Sequence, residues 1–176
     1  MSKLKFVIQK HDATRLHYDF RLEIGGTMPS WSIPKGPTLD PKMKRLAMET
    51  TDHDLKYRNF EGVIPEGSYG AGSVMIWDEG TYIPEIEISK GVRKEVSDKE
   101  GKKVMEEGLK KGEIKFFLKG KRLEGSFALV KTPHFGPKNS WLLIKHADEY
   151  CITGFDANDY DSSAKSGKSL KDIASK

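Results

Sequence analysis

The chain has 176 residues, 36% hydrophobic and 32% charged, with 30 Lys and Arg against 26 Asp and Glu and a formal net charge of +4. That length suits a single folded domain with a substantial core, and the charge admits a polyanionic partner without specifying one. Cys151 is the only cysteine, which excludes an intramolecular disulfide and a zinc site built from several thiolates and leaves a reduced, structural thiol.

The N-terminus, Met1-Ser2-Lys3-Leu4-Lys5, lacks the apolar stretch of a secretory signal. No run approaches membrane-spanning length, so the expected setting is cytoplasmic, with no membrane partner. Phe6-Val7-Ile8 suits a first short strand, followed by the polar turn Lys10 to Thr14. Residues 15–24 alternate polar and apolar and end at Gly25-Gly26, a hairpin signal. Trp31-Ser32-Ile33 is a short strand stopped by Pro34, Lys35-Gly36-Pro37 reads as a loop, and Arg45 to Glu49 as a further strand. Residues 61–72 are turn-rich, and Ser73 to Trp77 resumes an extended apolar run.

The clearest helix signal comes late. Ser97 and Glu100 have the spacing of a capping box, and Val104, Met105 and Leu109 give a weak apolar stripe before Gly112; Gly101 and Gly108 count against it. Strands return at 113–119, 122–131 and 140–146, with Leu123, Phe127 and Leu129 on an inward face. Many short strands, Gly and Pro turns and one or two short helices predict a mainly β fold, a compact closed or partly open β-barrel. Residues 1–160 form the expected barrel domain. Residues 161–176, rich in Ser, Lys and Asp, form the expected flexible C-terminal tail.

Within the alternating strand, Tyr18, Phe20, Leu22 and Ile24 share one face, and His17, Asp19, Arg21 and Glu23 the other, neighbours on a face being roughly 6–7 Å apart. His11 in the preceding turn joins His17 and Asp19 as a third ligand-type group. Two imidazoles and a carboxylate can occupy one face of an octahedral ion, a mixture suited to Mn²⁺, Fe²⁺, Co²⁺ or Zn²⁺. The plainer alternative is a solvated polar face. Arg21 can grip a phosphate through two parallel hydrogen bonds, or simply pair with Glu23. Lys35, in a stiff Pro-Lys-Gly-Pro loop, and Arg45, in a short basic run, can bind phosphate or be ordinary surface. Flanking Asp52 and Asp54 favour a protonated His53, which can stabilise charge on a phosphate, with Tyr57 adding a hydroxyl donor. His134 and His146 have no such company and read as structural.

Taken together, the run Phe6-Val7-Ile8-Gln9-Lys10-His11-Asp12-Ala13 through Leu16-His17-Tyr18-Asp19-Phe20-Arg21-Leu22-Glu23 closely resembles the phosphoesterase domain of bacterial DNA ligase D. So do Trp31-Ser32-Ile33-Pro34-Lys35-Gly36-Pro37, Asp52-His53-Asp54 with Tyr57, the segment from Phe60 to Gly72, Leu123-Glu124-Gly125-Ser126-Phe127 and Trp141-Leu142-Leu143-Ile144-Lys145. The similarity runs from about residue 5 to residue 146.

The resemblance implies a β-barrel enzyme of DNA repair, of the non-homologous end joining kind, that depends on a divalent metal, typically Mn²⁺, with Co²⁺ or Zn²⁺ as substitutes. Family members remove a 3′-terminal ribonucleoside by phosphodiester cleavage and then the remaining 3′-phosphate, leaving a 3′-OH. By the same resemblance His11, His17 and Asp19 match metal ligands. Arg21 and His53 match phosphate-contacting catalytic residues with Tyr57 beside them, and Gln9, Lys35 and Arg45 match supporting substrate-binding positions. The implied partners are 3′ ends of primer–template DNA, DNA- or RNA-terminated, with a ligase and polymerase acting in trans. Ligase D members carry a further polar segment before this block, and the chain begins almost at the block, so metal binding is implied more strongly than the phosphomonoesterase step. Two other readings stand beside it. His17 and Asp19 with a distant His53 is also the ligand pattern of non-haem Fe(II) oxygenases on β-barrels, and a non-catalytic DNA-binding barrel predicts salt-sensitive binding without a product.

Overall fold

The computed structural model describes residues 3–132, 134 and 136–175, so Met1-Ser2 and the last residue of the expected tail, Lys176, lie outside the described residues. Strict alternation folds as a hairpin: β1 (Leu4–Asp12) and β2 (Leu16–Leu22) pair antiparallel, with His11 opposite His17, Gln9 opposite Asp19 and Val7 opposite Arg21. Gly25 and Gly26, at φ 63° and 81°, make the expected turn into β3 (Met28–Ile33). Then come β4 (Arg45–His53), β5 (Gly62–Ile64), β6 (Gly72–Ser89), β7 (Val92–Glu95), α1 (Asp98–Lys111), β8 (Glu113–Gly120), β9 (Glu124–Lys131), β10 (Ser140–Lys145) and α2 (Leu170–Ala174).

The strands pair in the order β1-β2-β3-β4-β10-β9-β8-β6, and β6 pairs back with β1, so eight strands close a ring while β5 and β7 add to β6 outside it. Closure removes the exposed edges an open sheet would leave. Every strand of the ring sends apolar side chains to one core: Phe6, Ile8, Tyr18, Phe20, Trp31, Ala47, Met75, Trp77, Phe116, Phe127, Leu129, Trp141 and Leu143 among them. The interior is filled with aromatic rings, with Trp31 and Trp141 at a centroid distance of 5.4 Å and Phe20 and Phe116 at 5.8 Å. With the interior packed by these buried apolar side chains, the polar side chains of β1 and β2 are left to the outer wall.

Three local expectations need correction. β6 does not stop near Trp77. It continues through the polar stretch 78–81 because buried Asp78 accepts backbone N–H groups from Glu79, Lys121, Arg122 and Leu123, tying the strand to the β8–β9 turn. Helix α1 has the expected boundaries, but the Ser97 side chain makes no capping bond and Asp98 sits at φ 56°. Its glycines are contact points, not weak spots: a Cβ at Gly101 would lie 2.4 Å from the Val96 carbonyl oxygen, and one at Gly108 2.6 Å from that of Glu113.

The third correction concerns the C-terminal segment, which packs instead of fraying. Ala164 N–H donates to the Ile76 carbonyl, the Trp77 indole N–H to that of Tyr160, and Ile173 in α2 is buried in the main core. Ser169 and Asp172 form a reciprocal capping box on α2. A few apolar residues spaced far apart suffice because each meets a preformed surface. No helix among the described residues is long and apolar enough to cross a membrane.

Candidate active site

The outer face of β1 and β2 is not solvated. Gln9 and Val7 are 0% exposed, Arg21 3%, and His11 and Asp19 are buried. Their cover is the segment after β4, where the 3-10 turn Leu55–Asn59 and β5 fold back across the barrel wall. Val7, Met28 and Ile76 make a small second core there with Leu55. Asp54, expected to charge His53, instead caps that turn by accepting the Lys56 N–H.

His11, His17 and Asp19 each offer a ligand atom, and these atoms lie within 4.8 Å of one another. His17 Nδ1 donates to the Arg15 carbonyl at 2.9 Å, which leaves Nε2 facing Asp19 Oδ2 at 3.1 Å. Such an outer hydrogen bond fixes ring and tautomer as it does in metal-binding histidines. His11 Nδ1 stands 3.6 Å from the same oxygen, too far for a hydrogen bond, and His11 Nε2 is buried with no partner. A buried imidazole left without hydrogen bonds is costly, and a divalent cation among the three groups would satisfy one of its two nitrogens. The donor set therefore fits a borderline metal ion.

Electrostatics agree. Burial alone would raise the Asp19 carboxyl, but His11, His17 and Arg21 outweigh it and hold the group well below the ordinary carboxylate range. Burial pulls His17 down, yet the hydrogen bond and charge of Asp19 carry it above its ordinary value. A metal satisfies the same facing lone pairs that this proton does.

Arg21 is the hub of the next layer. Its Nε donates to Gln9 Oε1 at 2.6 Å, and Nη1 to Ser30 Oγ at 2.8 Å and His53 Nδ1 at 3.0 Å. Nη2 lies 3.5 Å from Asp19. Three of its five N–H groups are thus engaged in hydrogen bonds, while Nη2 is ion-paired with Asp19 and makes no hydrogen bond among the described residues. The pairing with Glu23 does not occur; Glu23 accepts the Lys5 N–H instead.

His53 departs from expectation. Burial first, and then Arg21, push its pKa below the ordinary value. Its Nδ1 lies 3.0 Å from Arg21 Nη1, which can only donate, and 3.1 Å from the Thr51 carbonyl, which can only accept, so the two contacts call for opposite tautomers and only the Arg21 contact leaves the proton on Nε2. Nor does His53 join His17 and Asp19 in an oxygenase-type ligand set: the imidazole whose ligand atom converges with theirs is that of His11. The Tyr57 ring, 4.8 Å from that of His53 and 4.9 Å from Arg21 Cζ, shields the guanidinium and stacks on Phe60.

The other predicted residues divide. Gln9 donates both amide hydrogens, to the Tyr57 and Phe60 carbonyls, so it positions the cover and Arg21 and has no donor left for substrate. Lys35 is exposed and forms no hydrogen bond or ion pair among the described residues. Arg45 shares its side of β4 with Ala47 and Glu49, opposite the side of Thr50 that faces Ser30, and its Nε is buried unpaired. Neither joins the cluster. Ser30 went unpredicted, although a buried arginine on β2 calls for an acceptor on the strand beside it.

The family model described as the DNA ligase D 3′-phosphoesterase domain matches residues 9–131. A multifunctional non-homologous end joining protein LigD of Pseudomonas aeruginosa is 46% identical over 145 residues, covering 82% of this chain and 15% of that protein. LigD proteins of Mycobacterium tuberculosis, 42% identical over 127 residues, and Mycolicibacterium smegmatis, 39% over 145, match over 72% and 82% of this chain and 14% and 17% of their own lengths. The chain thus spans about a sixth of those relatives. With the trio, the arginine and the matched span all in one stretch of sequence, the chain belongs to the DNA ligase D 3′-phosphoesterase domain family.

Proposed function

We propose that the protein is a metal-dependent phosphoesterase that heals DNA 3′ ends, removing a 3′-terminal ribonucleoside and then the 3′-phosphate to leave a 3′-OH. The observation that carries this reading is the convergence of His11, His17 and Asp19 beside Arg21, whose Nη2 is ion-paired with Asp19 but makes no hydrogen bond among the described residues. Family membership supports the reaction class, and the role of the relatives in non-homologous end joining supports DNA ends as the substrate. A ligase and a polymerase are the partners inferred on the same ground.

His11, His17 and Asp19 would hold a divalent ion, Mn²⁺ being our choice, which would supply Lewis-acid polarisation of a phosphoryl oxygen. Arg21 Nη2 holds a second oxygen, its angle fixed by Gln9 and Ser30. His53, in the tautomer that accepts from Arg21 at Nδ1, offers Nε2–H to the oxygen on which charge grows. Tyr57 and Phe60 keep water from the guanidinium, which strengthens each of these contacts.

The test is a radiolabelled primer ending in a 3′-ribonucleotide or a 3′-phosphate, incubated with and without Mn²⁺. The expected products are a primer shortened by one nucleoside and then a 3′-OH primer, only with metal. Intact primer in both lanes overturns the proposal. Metal-independent binding without product would instead favour the DNA-binding barrel.

A further inference from the structure

Tyr69 is 97% exposed, more than any other large hydrophobic residue among those described. A single exposed tyrosine is unremarkable by itself; its position is not. It stands in the loop between β5 and β6, and its neighbour Gly70 lies beside His11 of the trio, since a Cβ there would lie 3.7 Å from His11 Cε1. Consecutive α-carbons are about 3.8 Å apart, so Tyr69 sits one residue from the site wall.

The loop is held in shape. Ser68 N–H donates to the Pro65 carbonyl and Ala71 N–H to that of Ser68, and Gly72, at φ 131°, is wedged so tightly that a Cβ would meet the Asp12 carbonyl at 2.1 Å. That wedge locks the loop to the β1–β2 hairpin, whose own tip presents exposed Arg15 and Leu16. The rim beside the trio therefore offers an aromatic ring, an aliphatic side chain and a cation, exposed on a loop and a hairpin whose backbones are wedged together. Single-stranded nucleic acid is gripped by such sets: rings for bases and cations for phosphates, with little regard to sequence.

We propose that Tyr69 stacks on the base of the terminal nucleotide whose 3′ end enters the site, so that the enzyme engages unpaired or frayed ends. The proposal rests on the reading of the site as a 3′-end phosphoesterase and names its substrate contact. It makes Tyr69 a binding residue, remote from the reacting phosphorus.

The experiment uses the full chain and a primer whose terminal 3′-phosphorylated nucleotide carries 2-aminopurine, beside the same primer with an abasic terminus. Quenching and affinity are read by stopped flow with Mn²⁺ before turnover, and products are sized afterwards. Wild type, Tyr69→Phe and Tyr69→Trp should quench the probe. Tyr69→Ala should lose the quench and weaken binding about 5- to 150-fold, with the loss in KM, whereas on the abasic primer all four proteins should bind alike. Tyr69→Ala that quenches and binds within twofold of wild type, or is weakened equally on the abasic end, overturns the stacking. Wild-type quenching without phosphate or nucleoside release would sink the phosphoesterase reading and leave the stacking standing. Absence of any primer binding would sink both.

Discussion

At the scale of single residues, the site separates into groups that would hold metal, a group that would hold phosphate and groups that only position. Asp19→Ala removes the shared carboxylate and should abolish Mn²⁺ binding in a calorimetric titration. His53→Ala should leave the titration unchanged while lowering kcat by about 10²–10³, the usual cost of one donor to a charged transition state. Equal metal binding by both variants would contradict this division. Gln9 belongs to the positioning class, since it touches Arg21 and two carbonyls of the cover but no free space. Gln9→Ala strands those buried partners at about 1–3 kcal/mol each. Both the melting temperature and the rate should fall, and a variant that loses rate with unchanged stability would make Gln9 a substrate contact instead.

Elements show where local propensity misleads. Helix scales rank Ala above Gly by about 1 kcal/mol, so Gly101→Ala and Gly108→Ala ought to stabilise α1. Here the added methyl would strike a backbone carbonyl at either position, and overpacking costs about 1–3 kcal/mol. Denaturant titration should therefore show a loss, and a gain would mean that α1 sits farther from the sheet. At the end of β10, the buried Lys145 ammonium lies 2.6 Å from Asp148. Burial alone would raise the Asp148 carboxyl, but Lys145 and the N–H groups of Ser126 and Tyr150 hold it below its ordinary value. A carboxyl depressed by folding stabilises at pH values above its unfolded pKa, and that stability is lost as pH falls through the folded one. Acid unfolding of wild type should thus be steeper below about pH 4 than that of Asp148→Asn, measured by circular dichroism.

For the molecule as a whole, the closed ring leaves function to whatever is laid over its outer wall. The C-terminal segment braces that layer: Glu61, just before β5, accepts the Ser166 hydroxyl and the Ile76 N–H, and Lys165 donates to the Asn59 carbonyl. Ile173→Ala, in the core at 3% exposure, should cost about 2–5 kcal/mol in a denaturant titration, where a flexible tail would show no change. Primer binding should weaken linearly in log–log plots against salt, because the contacts expected with substrate are largely to phosphate.

Some of this was legible without coordinates. Alternation in 17–24 fixed which side chains share a face, because a strand leaves no other choice, and the motif block from Phe6 to Gly72 carried the family and pointed to the three groups that the fold brings together. Strand ends at Gly and Pro were readable for the same local reason. What only tertiary structure decided was non-local. Arg45 fell on the wrong side of its strand through register with β3 and β10, and His53 became neutral because burial and Arg21 outweigh its neighbours in sequence. Helix glycines turned into contacts, and a polar C-terminus became a brace, because partners a hundred residues away determined what each could bury. Periodicity reports the direction of a side chain, whereas charge state and burial depend on what the fold sets opposite it.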